Sequence, residues 1–382
     1  MSIIAIIALI VCPALSLPFV FAGLKKDKKH KKVYLFIIAI ILALFSYCYK
    51  PTASEDLYAH HVDTMQYKNM SMNKLTEEVS KKPEQLSVIY KYVISKTGNP
   101  DLLQFFAAFV CYAILLYLLN EYSERSNGIS ALKKVAIWVF VISGFHYLVI
   151  TSGIFYTLAL EIFSLGVYID YEKKRKILGI MCYVIPVFIH TCAALPLAII
   201  LLYKMLGSKV SFRNVAILSV LLMSIGLLMT VVLPSFNNPL TNELSSLYTS
   251  YFGNEEKWAN LHDVFTLTVY LSRLIPILIG FCLTRQKNDV SGFSIFMTIL
   301  VVLLFFQTSF SIRYIHVAVL CGLPIMFEAI KDKKYGGIYA ASLYMLAIPQ
   351  IAYQIRQIAG AGKIVGIQKA MITNLIMTLG GA

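Results

Sequence analysis

The sequence predicts an all-α integral membrane protein whose helices cross the bilayer many times. Apolar residues make up 58% of the chain and charged residues only 14%, a balance that water does not solvate as a compact globule. The apolar residues fall in runs of roughly 16 to 20, each able as a helix to cross most of a hydrocarbon core about 30 Å thick. Because these runs lack the alternating pattern of barrel strands, we expect a polytopic bundle of about 12 transmembrane helices.

The apolar runs define the expected spans. They cover residues 2–22, 33–49, 102–119, 135–151, 153–169, 177–189, 191–203, 214–233, 265–284, 293–310, 314–330 and 338–353. The stretch 177–203 has 27 residues without Lys, Arg, Asp or Glu, which is too long for one upright crossing and short for two. Basic loops at both ends favour a short hairpin with His190 at its turn, between Pro186 and Pro196.

The basic residues set the expected orientation. Of the 34 Lys and Arg residues, 21 lie in alternate loops, which the positive-inside tendency assigns to the cytoplasm. These loops are 23–32, 120–134, 171–176, 204–213, 285–288 and 331–334. The long loops 50–101 and 234–264 then face outward, and residues 1–382 form a single integral membrane domain. Orientation and anionic lipid account for the net charge of +14, so nucleic acid is not an expected partner.

The external loop 50–101 opens with SEDLYAHHVD, an acidic and histidine-rich stretch in an otherwise apolar chain. Pro51 can start a helix, and Asp56, His60, Asp63 and Tyr67 then share one face by their spacing. Solvation alone is the common explanation of such a face. Since no HExxH or DxD motif accompanies it and the cysteines form no CxxC pair, no metal site is expected.

The same loop continues with PEQLSVIYKYVISKTG, which predicts an amphipathic helix. Its apolar stripe consists of Leu86, Ile89, Tyr90 and Val93, and it can lie on the bilayer or on the helix bundle. We therefore expect the loop to be docked. Its polar face can then cover a cavity that opens towards the outer leaflet.

Ionisable residues inside apolar spans are costly, and each is a functional candidate. Glu161 and Arg273 each lie eight residues from the outer start of a span, roughly 12 Å deep by helix rise, so they could meet. Such a pair could be structural or catalytic, and both readings stay open. His146 is expected to be a satisfied interhelical histidine. Arg313 and His316, spaced i and i+3, are either a snorkelling Arg with a packing His or a functional pair.

Four stretches together resemble a known family. SEDLYAHHVD, PEQLSVIYKYVISKTG, FIHTCAALPLAIIL and SIRYIHVAV are similar, in their order along the whole chain, to the EpsG-like group of Wzy-type O-antigen and capsule polymerases. The resemblance implies a GT-C-like bundle in the bacterial cytoplasmic (inner) membrane, with an outward-facing site. It implies glycosyl transfer between two undecaprenyl-diphosphate-linked glycans, without metal or cofactor. Membrane lipid, a flippase and a chain-length regulator are the partners it implies.

Such a reaction needs a base at the acceptor hydroxyl and cations at the departing diphosphate. Arginine forks match phosphate oxygens, so the expected diphosphate ligands are Arg313, Arg273 and Arg356. The expected catalytic residues are His190, then Asp56, then His316, together with Glu161. The expected sugar-binding residues are Tyr58, His60, Asp63 and Tyr67.

Other membrane functions share parts of this pattern. An O-antigen ligase uses the same donor and differs in its acceptor, which an assay of chain ligation reveals. A non-enzymatic flippase or transporter of lipid-linked sugars would show two related halves, and we find no internal repeat. A membrane-bound O-acyltransferase also keeps an intramembrane His, and dependence on acyl-CoA would identify it.

The predicted topology can be tested with reporter fusions. A reporter joined at Lys74 should be active outside the membrane, and reporters at Lys29, Lys174 and Lys333 should be active in the cytoplasm, because the basic loops stay inside. Paired phosphatase and fluorescent-protein fusions measure this. A cytoplasmic result at Lys74 would contradict the outward-facing loop.

Overall fold

A computed structural model describes residues 2–207, 214, 217, 220, 264–284, 289–303, 308–361 and 366–380. All regular elements in these residues are helical, as predicted. The α-helices are α1 (Ser2–Val11), α2 (Pro13–Lys26), α3 (Lys31–Tyr47), α4 (Asp56–Gln66), α5 (Met72–Lys81), α6 (Gln85–Ser95), α7 (Asp101–Arg125), α8 (Ala131–Gly144), α9 (Tyr147–Ser152), α10 (Ile154–Val167), α11 (Lys176–Ile189), α12 (Ala194–Met205), α13 (Val264–Ser272), α14 (Ile275–Thr284), α15 (Asp289–Leu303), α16 (Thr308–Cys321), α17 (Leu323–Ala329), α18 (Gly336–Ala361), α19 (Ile367–Ile372) and α20 (Leu375–Gly380). A π-helical turn covers Tyr168–Glu172, and 3₁₀ turns cover Lys28–His30 and Thr191–Ala193.

Few described helices are long enough to cross a membrane without a break. Two have the length and apolar composition, Asp101–Arg125 and Ile154–Glu172, and a third candidate is a pair of helices over 312–329 that is bent by 52°. The predicted span 214–233 and the loop 234–264 lie almost wholly outside the described residues. A polytopic helix bundle is consistent with these findings, and its 12 crossings stay a prediction.

Proline explains why several predicted spans are divided. The span 2–22 is interrupted at Cys12, whose backbone is extended (φ −161°, ψ 106°), directly before Pro13. A proline has no amide hydrogen to donate to the carbonyl of the preceding helical turn, and it disfavours helical geometry in the residue before it. Pro276 and Pro324 stand in the same way within the first turn of α14 and α17. The count of apolar residues had predicted one span where the structure has two helices, over 2–22, 265–284 and 314–330.

The predicted hairpin over 177–203 is present. His190 has an extended backbone (φ −155°, ψ 130°) that separates α11 from α12. The Lys204 ammonium at the end of α12 lies 2.5 Å from Asp170, close to where α11 begins, so the chain returns to its starting side. At the turn, the Thr191 amide donates to Glu84 of the loop 50–101, which is predicted to be external (2.9 Å).

The external loop forms three helices, α4, α5 and α6, and the first begins later than expected. The Glu55 carboxylate accepts hydrogen bonds from the Thr52 amide (3.3 Å) and hydroxyl (2.6 Å), which closes a turn before the helix. Helix α4 therefore begins at Asp56, and the expected start at Pro51 is wrong.

The external loop is docked on the bundle, as expected. The His61 ring is hydrogen-bonded to Gln104 of α7 (2.7 Å). The Tyr90 hydroxyl of α6 donates to the main-chain carbonyl of Leu103, which is also on α7 (2.7 Å). Lys91, buried on α6, donates to Asp63 of α4 (3.1 Å). These contacts fix α4 and α6 relative to each other and to α7.

Helix α6 does not use its whole predicted stripe for docking. Leu86, Ile89 and Val93 are 36%, 40% and 57% exposed, whereas Val88 and Ile94 are buried. The side of α6 that carries the three exposed residues is apolar and faces away from the bundle. Its contact with the bilayer stays a prediction.

Candidate active site

Four predicted site residues from distant segments meet in one cavity of about 210 Å³. We call it the histidine–arginine cavity. Its described lining residues are Asp56, Ala59, His60, Ser152, Gly153, Phe155, Tyr156, His190 and Arg313. Helix α4 of the external loop contributes Asp56 and His60, the turn after α11 contributes His190, and α16 contributes Arg313. Helix α4 of the loop 50–101 therefore lines this cavity, and the position of that loop outside the membrane stays a prediction.

The Tyr156 ring organises the cationic side of the cavity. The half-buried Arg313 guanidinium lies 4.7 Å from the ring centre, and the His190 ring meets Tyr156 edge-on at 6.3 Å. A Cβ atom at Gly153 would lie 2.1 Å from the Tyr156 ring. The position before α10 thus needs glycine because the Tyr156 ring occupies the space of a side chain.

The hydrogen bonds of His190 decide which ring nitrogen carries a proton. Its Nδ1 accepts from the Cys192 amide (3.1 Å), while Glu84 Oε1 is farther away at 3.5 Å. Burial lowers the pKa of His190, and Arg313 lowers it further against the opposing effect of Glu84, so the ring is neutral near pH 7. A neutral imidazole that accepts at Nδ1 carries its proton on Nε2. His190 is therefore arranged as a donor at Nε2, which does not suit the expected role of a base.

Asp56 supplies the carboxylate among the described lining residues. It is exposed at the first turn of α4, with access to an incoming hydroxyl. His60 lies one turn further along, edge-on to Phe155 at 5.0 Å, and burial lowers its pKa to about 4. Asp56 is the better placed base because its carboxylate is exposed, whereas the His60 ring packs against Phe155.

The other expected sugar-binding residues do not line this cavity. Asp63 pairs with Lys91, Tyr67 is buried in a small cluster beside Leu75, and Tyr58 is 43% exposed. The described residues contain no group of three or more His, Cys, Asp or Glu side chains placed to hold a metal ion. The helical face predicted from spacing is therefore divided between cavity lining and packing of the loop.

The expected meeting of Glu161 with Arg273 is wrong. Glu161 is fully buried, and its Oε1 contacts His316 Nδ1 at 3.4 Å. Glu161 Oε2 and His316 Nε2 have no hydrogen-bond partner within the described part of the chain. His316 and Arg273 instead line a separate space of about 10 Å³, room for about one water molecule. Glu161 and His316 thus stand apart from the histidine–arginine cavity.

Arg273 is held by neutral partners at the break between α13 and α14. Its Nε donates to Gln350 Oε1 (3.2 Å), its Nη2 contacts His146 Nε2, and its guanidinium lies 4.6 Å from the centre of the Tyr270 ring. His146 is an interhelical histidine, as expected, since it contacts Gln350 of α18 (3.3 Å). Neither Arg273 nor the exposed Arg356 is among the described lining residues of the cavity, so Arg313 is the predicted arginine found there.

Comparison with protein families identifies the chain. The model of the EpsG family matches residues 57–365, most of the sequence, including His190 and Arg313. The chain belongs to the EpsG family. This is a family of Wzy-like polymerases, so membership points to a membrane protein with a polysaccharide polymerase-like function. Searches of the curated proteins and of the solved structures returned no match.

The sequence did not single out Tyr156, although it touches both Arg313 and His190 in this EpsG-family chain. An aromatic residue in an apolar span is ordinary core material. The available signal was local, because a glycine three residues before an aromatic side chain leaves room for the ring against the backbone. Gly153 and Tyr156 have this spacing.

A larger cavity of about 520 Å³ lies elsewhere, between the turn before α7 and the C-terminal helices α19 and α20. Its lining includes Lys50 and Asp101, which pair with each other, and Lys369. The histidine–arginine cavity is the better candidate because it combines an arginine, two histidines and a carboxylate.

The glycine contact gives a direct test of the site. We expect Gly153→Ala to displace the Tyr156 ring and to shorten the polysaccharide made by the EpsG-family protein, with protein abundance near that of the wild type. The matched control is Gly337→Ala, where an added Cβ meets no atom within 4 Å. Gel analysis of polysaccharide length in a complemented deletion strain measures the effect. Normal chain length in Gly153→Ala would show that the position of Tyr156 is unimportant.

Proposed function

We propose that this EpsG-family protein polymerises undecaprenyl-diphosphate-linked oligosaccharide repeat units into O-antigen or capsular polysaccharide. The growing glycan is transferred from its lipid diphosphate to a new lipid-linked repeat unit, on the outer face of the cytoplasmic membrane. The observation that carries the proposal is the meeting of Arg313, His190 and Asp56 in one cavity covered by the predicted external loop.

Arg313 is proposed to bind the diphosphate of the donor. A guanidinium presents parallel N–H groups to phosphate oxygens, and its contact with Tyr156 restricts its orientation before substrate arrives. As the bond between the anomeric carbon and the diphosphate oxygen breaks, negative charge grows on that oxygen. A cation fixed at this point stabilises the transition state more than the bound substrate.

Asp56 is proposed to act as the general base, and His190 is proposed to act as a hydrogen-bond donor to the leaving group. The acceptor hydroxyl oxygen forms a bond to the anomeric carbon, its proton passes to the Asp56 carboxylate, and the electron pair of the broken bond leaves on the diphosphate. His190 donates from Nε2 to a diphosphate oxygen beside Arg313. The proton on His190 stays in place, so the imidazole orients the leaving group and transfers nothing.

This assignment uses three side chains and no metal ion. An O-antigen ligase would use the same donor site, and the identity of the acceptor distinguishes the two reactions. With lipid-linked repeat units as both substrates, a polymerase yields a ladder of products and a ligase yields none.

Arg313 and Arg356 form a matched pair for a first test. Arg313→Ala should lower kcat about 100-fold or more, as removal of an electrostatic donor from an active site does. Arg356→Ala should retain wild-type turnover, because Arg356 is exposed on α18 and does not line the cavity. Turnover of purified lipid-linked repeat units by the protein in nanodiscs measures both, with and without EDTA. Equal turnover of Arg313→Ala and the wild type, or inactivation by EDTA that a divalent ion reverses, contradicts the assignment.

The proton position on His190 can be tested by substitution. A glutamine amide can donate from a place close to imidazole Nε2 but cannot act as a base at pH 7, so His190→Gln should retain part of the activity. His190→Ala should leave mainly single repeat units on the cell surface. Polysaccharide length and protein abundance should be compared in one complemented strain. If His190→Gln is as inactive as His190→Ala at equal abundance, the donor role is wrong and a base remains the better explanation.

A further inference from the structure

A second cavity lies beside the histidine–arginine cavity. We call it the tyrosine cavity, and its volume is about 260 Å³. Its lining includes Tyr156, Tyr270, Tyr353, His146, Gln354 and Gln357. It shares Ser152 and Tyr156 with the histidine–arginine cavity, so the two spaces are immediate neighbours.

The floor of the tyrosine cavity is held firmly. The His146 ring stacks on Tyr353 with centres 4.6 Å apart, and the Tyr270 ring lies against the buried Arg273 guanidinium. Gln354 donates to the Ser143 carbonyl (2.6 Å), which joins α18 to the end of α8. A ligand would therefore meet preformed aromatic faces and would not have to order them.

The chemistry of the lining is neutral and amphipathic. The described lining residues include no Lys, Arg, Asp or Glu. They offer flat apolar faces from the tyrosines together with amide groups from two glutamines, which both donate and accept. A lining of this kind suits a neutral ligand that has apolar faces as well as hydroxyl groups.

We infer that the tyrosine cavity binds the non-reducing-end sugar of the acceptor repeat unit. The inference rests on the proposed function. A sugar ring presents apolar C–H faces and a rim of hydroxyl groups, which match tyrosine faces and glutamine amides. The donor sugar carries the diphosphate and belongs beside Arg313. The acceptor sugar is several residues away from its own diphosphate, so it needs a neutral cavity next to the reacting carbon.

The size of the cavity supports a single ring. Its volume of about 260 Å³ is below the roughly 300 Å³ at which pockets for drug-sized ligands begin. A whole oligosaccharide repeat unit would extend out of it. The shared Tyr156 wall brings a hydroxyl of the bound ring close to the histidine–arginine cavity, where Asp56 can receive its proton.

Direct binding tests this inference without requiring turnover. The probe is the repeat-unit oligosaccharide released from its lipid by mild acid, titrated calorimetrically into the full-length protein in nanodiscs. Loss of a hydrogen bond and of amide packing should weaken binding about tenfold in Gln357→Leu. Gln368→Leu, an exposed glutamine on α19, should bind as the wild type does, and so should Arg313→Ala.

The outcomes separate the inference from the proposed function. Equal affinity in Gln357→Leu and the wild type, or no binding by the wild type, overturns the sugar site. Loss of binding in Arg313→Ala with normal binding in Gln357→Leu places the glycan in the histidine–arginine cavity and also overturns it. Binding that depends on Gln357 supports the sugar site. If the protein shows this binding but makes no polymer from lipid-linked repeat units, the proposed reaction is refuted and the sugar site is not.

Discussion

The architecture around both cavities depends on how the buried charge of Arg273 is accommodated. The helical chain is interrupted at His146 and at Arg273 itself, and both interruptions meet α18. There the Arg273 guanidinium donates to Gln350 and contacts His146. Gln350 is fully buried and also donates to the Val269 carbonyl (2.7 Å). An unpaired charge at this depth would cost several kcal/mol. The Tyr270 ring on Arg273 and the Tyr353 ring on His146 are consequently held by electrostatic contacts as well as by packing.

Composition and periodicity were sufficient to predict an all-helical membrane chain, but depth along a helix was not sufficient to predict partners. Glu161 and Arg273 were placed at equal depths from helix rise, which says nothing about the direction in which each side chain points. Glu161 therefore pairs with His316, and Arg273 pairs with amide and imidazole groups.

The candidate site was predictable where charge stands out against an apolar background. Asp56, His60, His190 and Arg313 were selected from three short polar interruptions, and they do line one cavity. The role of His190 was not predictable, because it depends on one amide of a 3₁₀ turn that fixes the tautomer. Tyr156 was missed because its type is common in membrane spans.

The contact between Gly153 and Tyr156 constrains how this protein can diversify. A larger residue at position 153 must displace the Tyr156 ring, so an exchange at 153 also moves that ring. Since Tyr156 is the wall common to both cavities, that exchange would alter the two spaces at once. A lineage that adapts to a new sugar is therefore expected to vary the far side of the tyrosine cavity, on α18, and to leave this pair untouched.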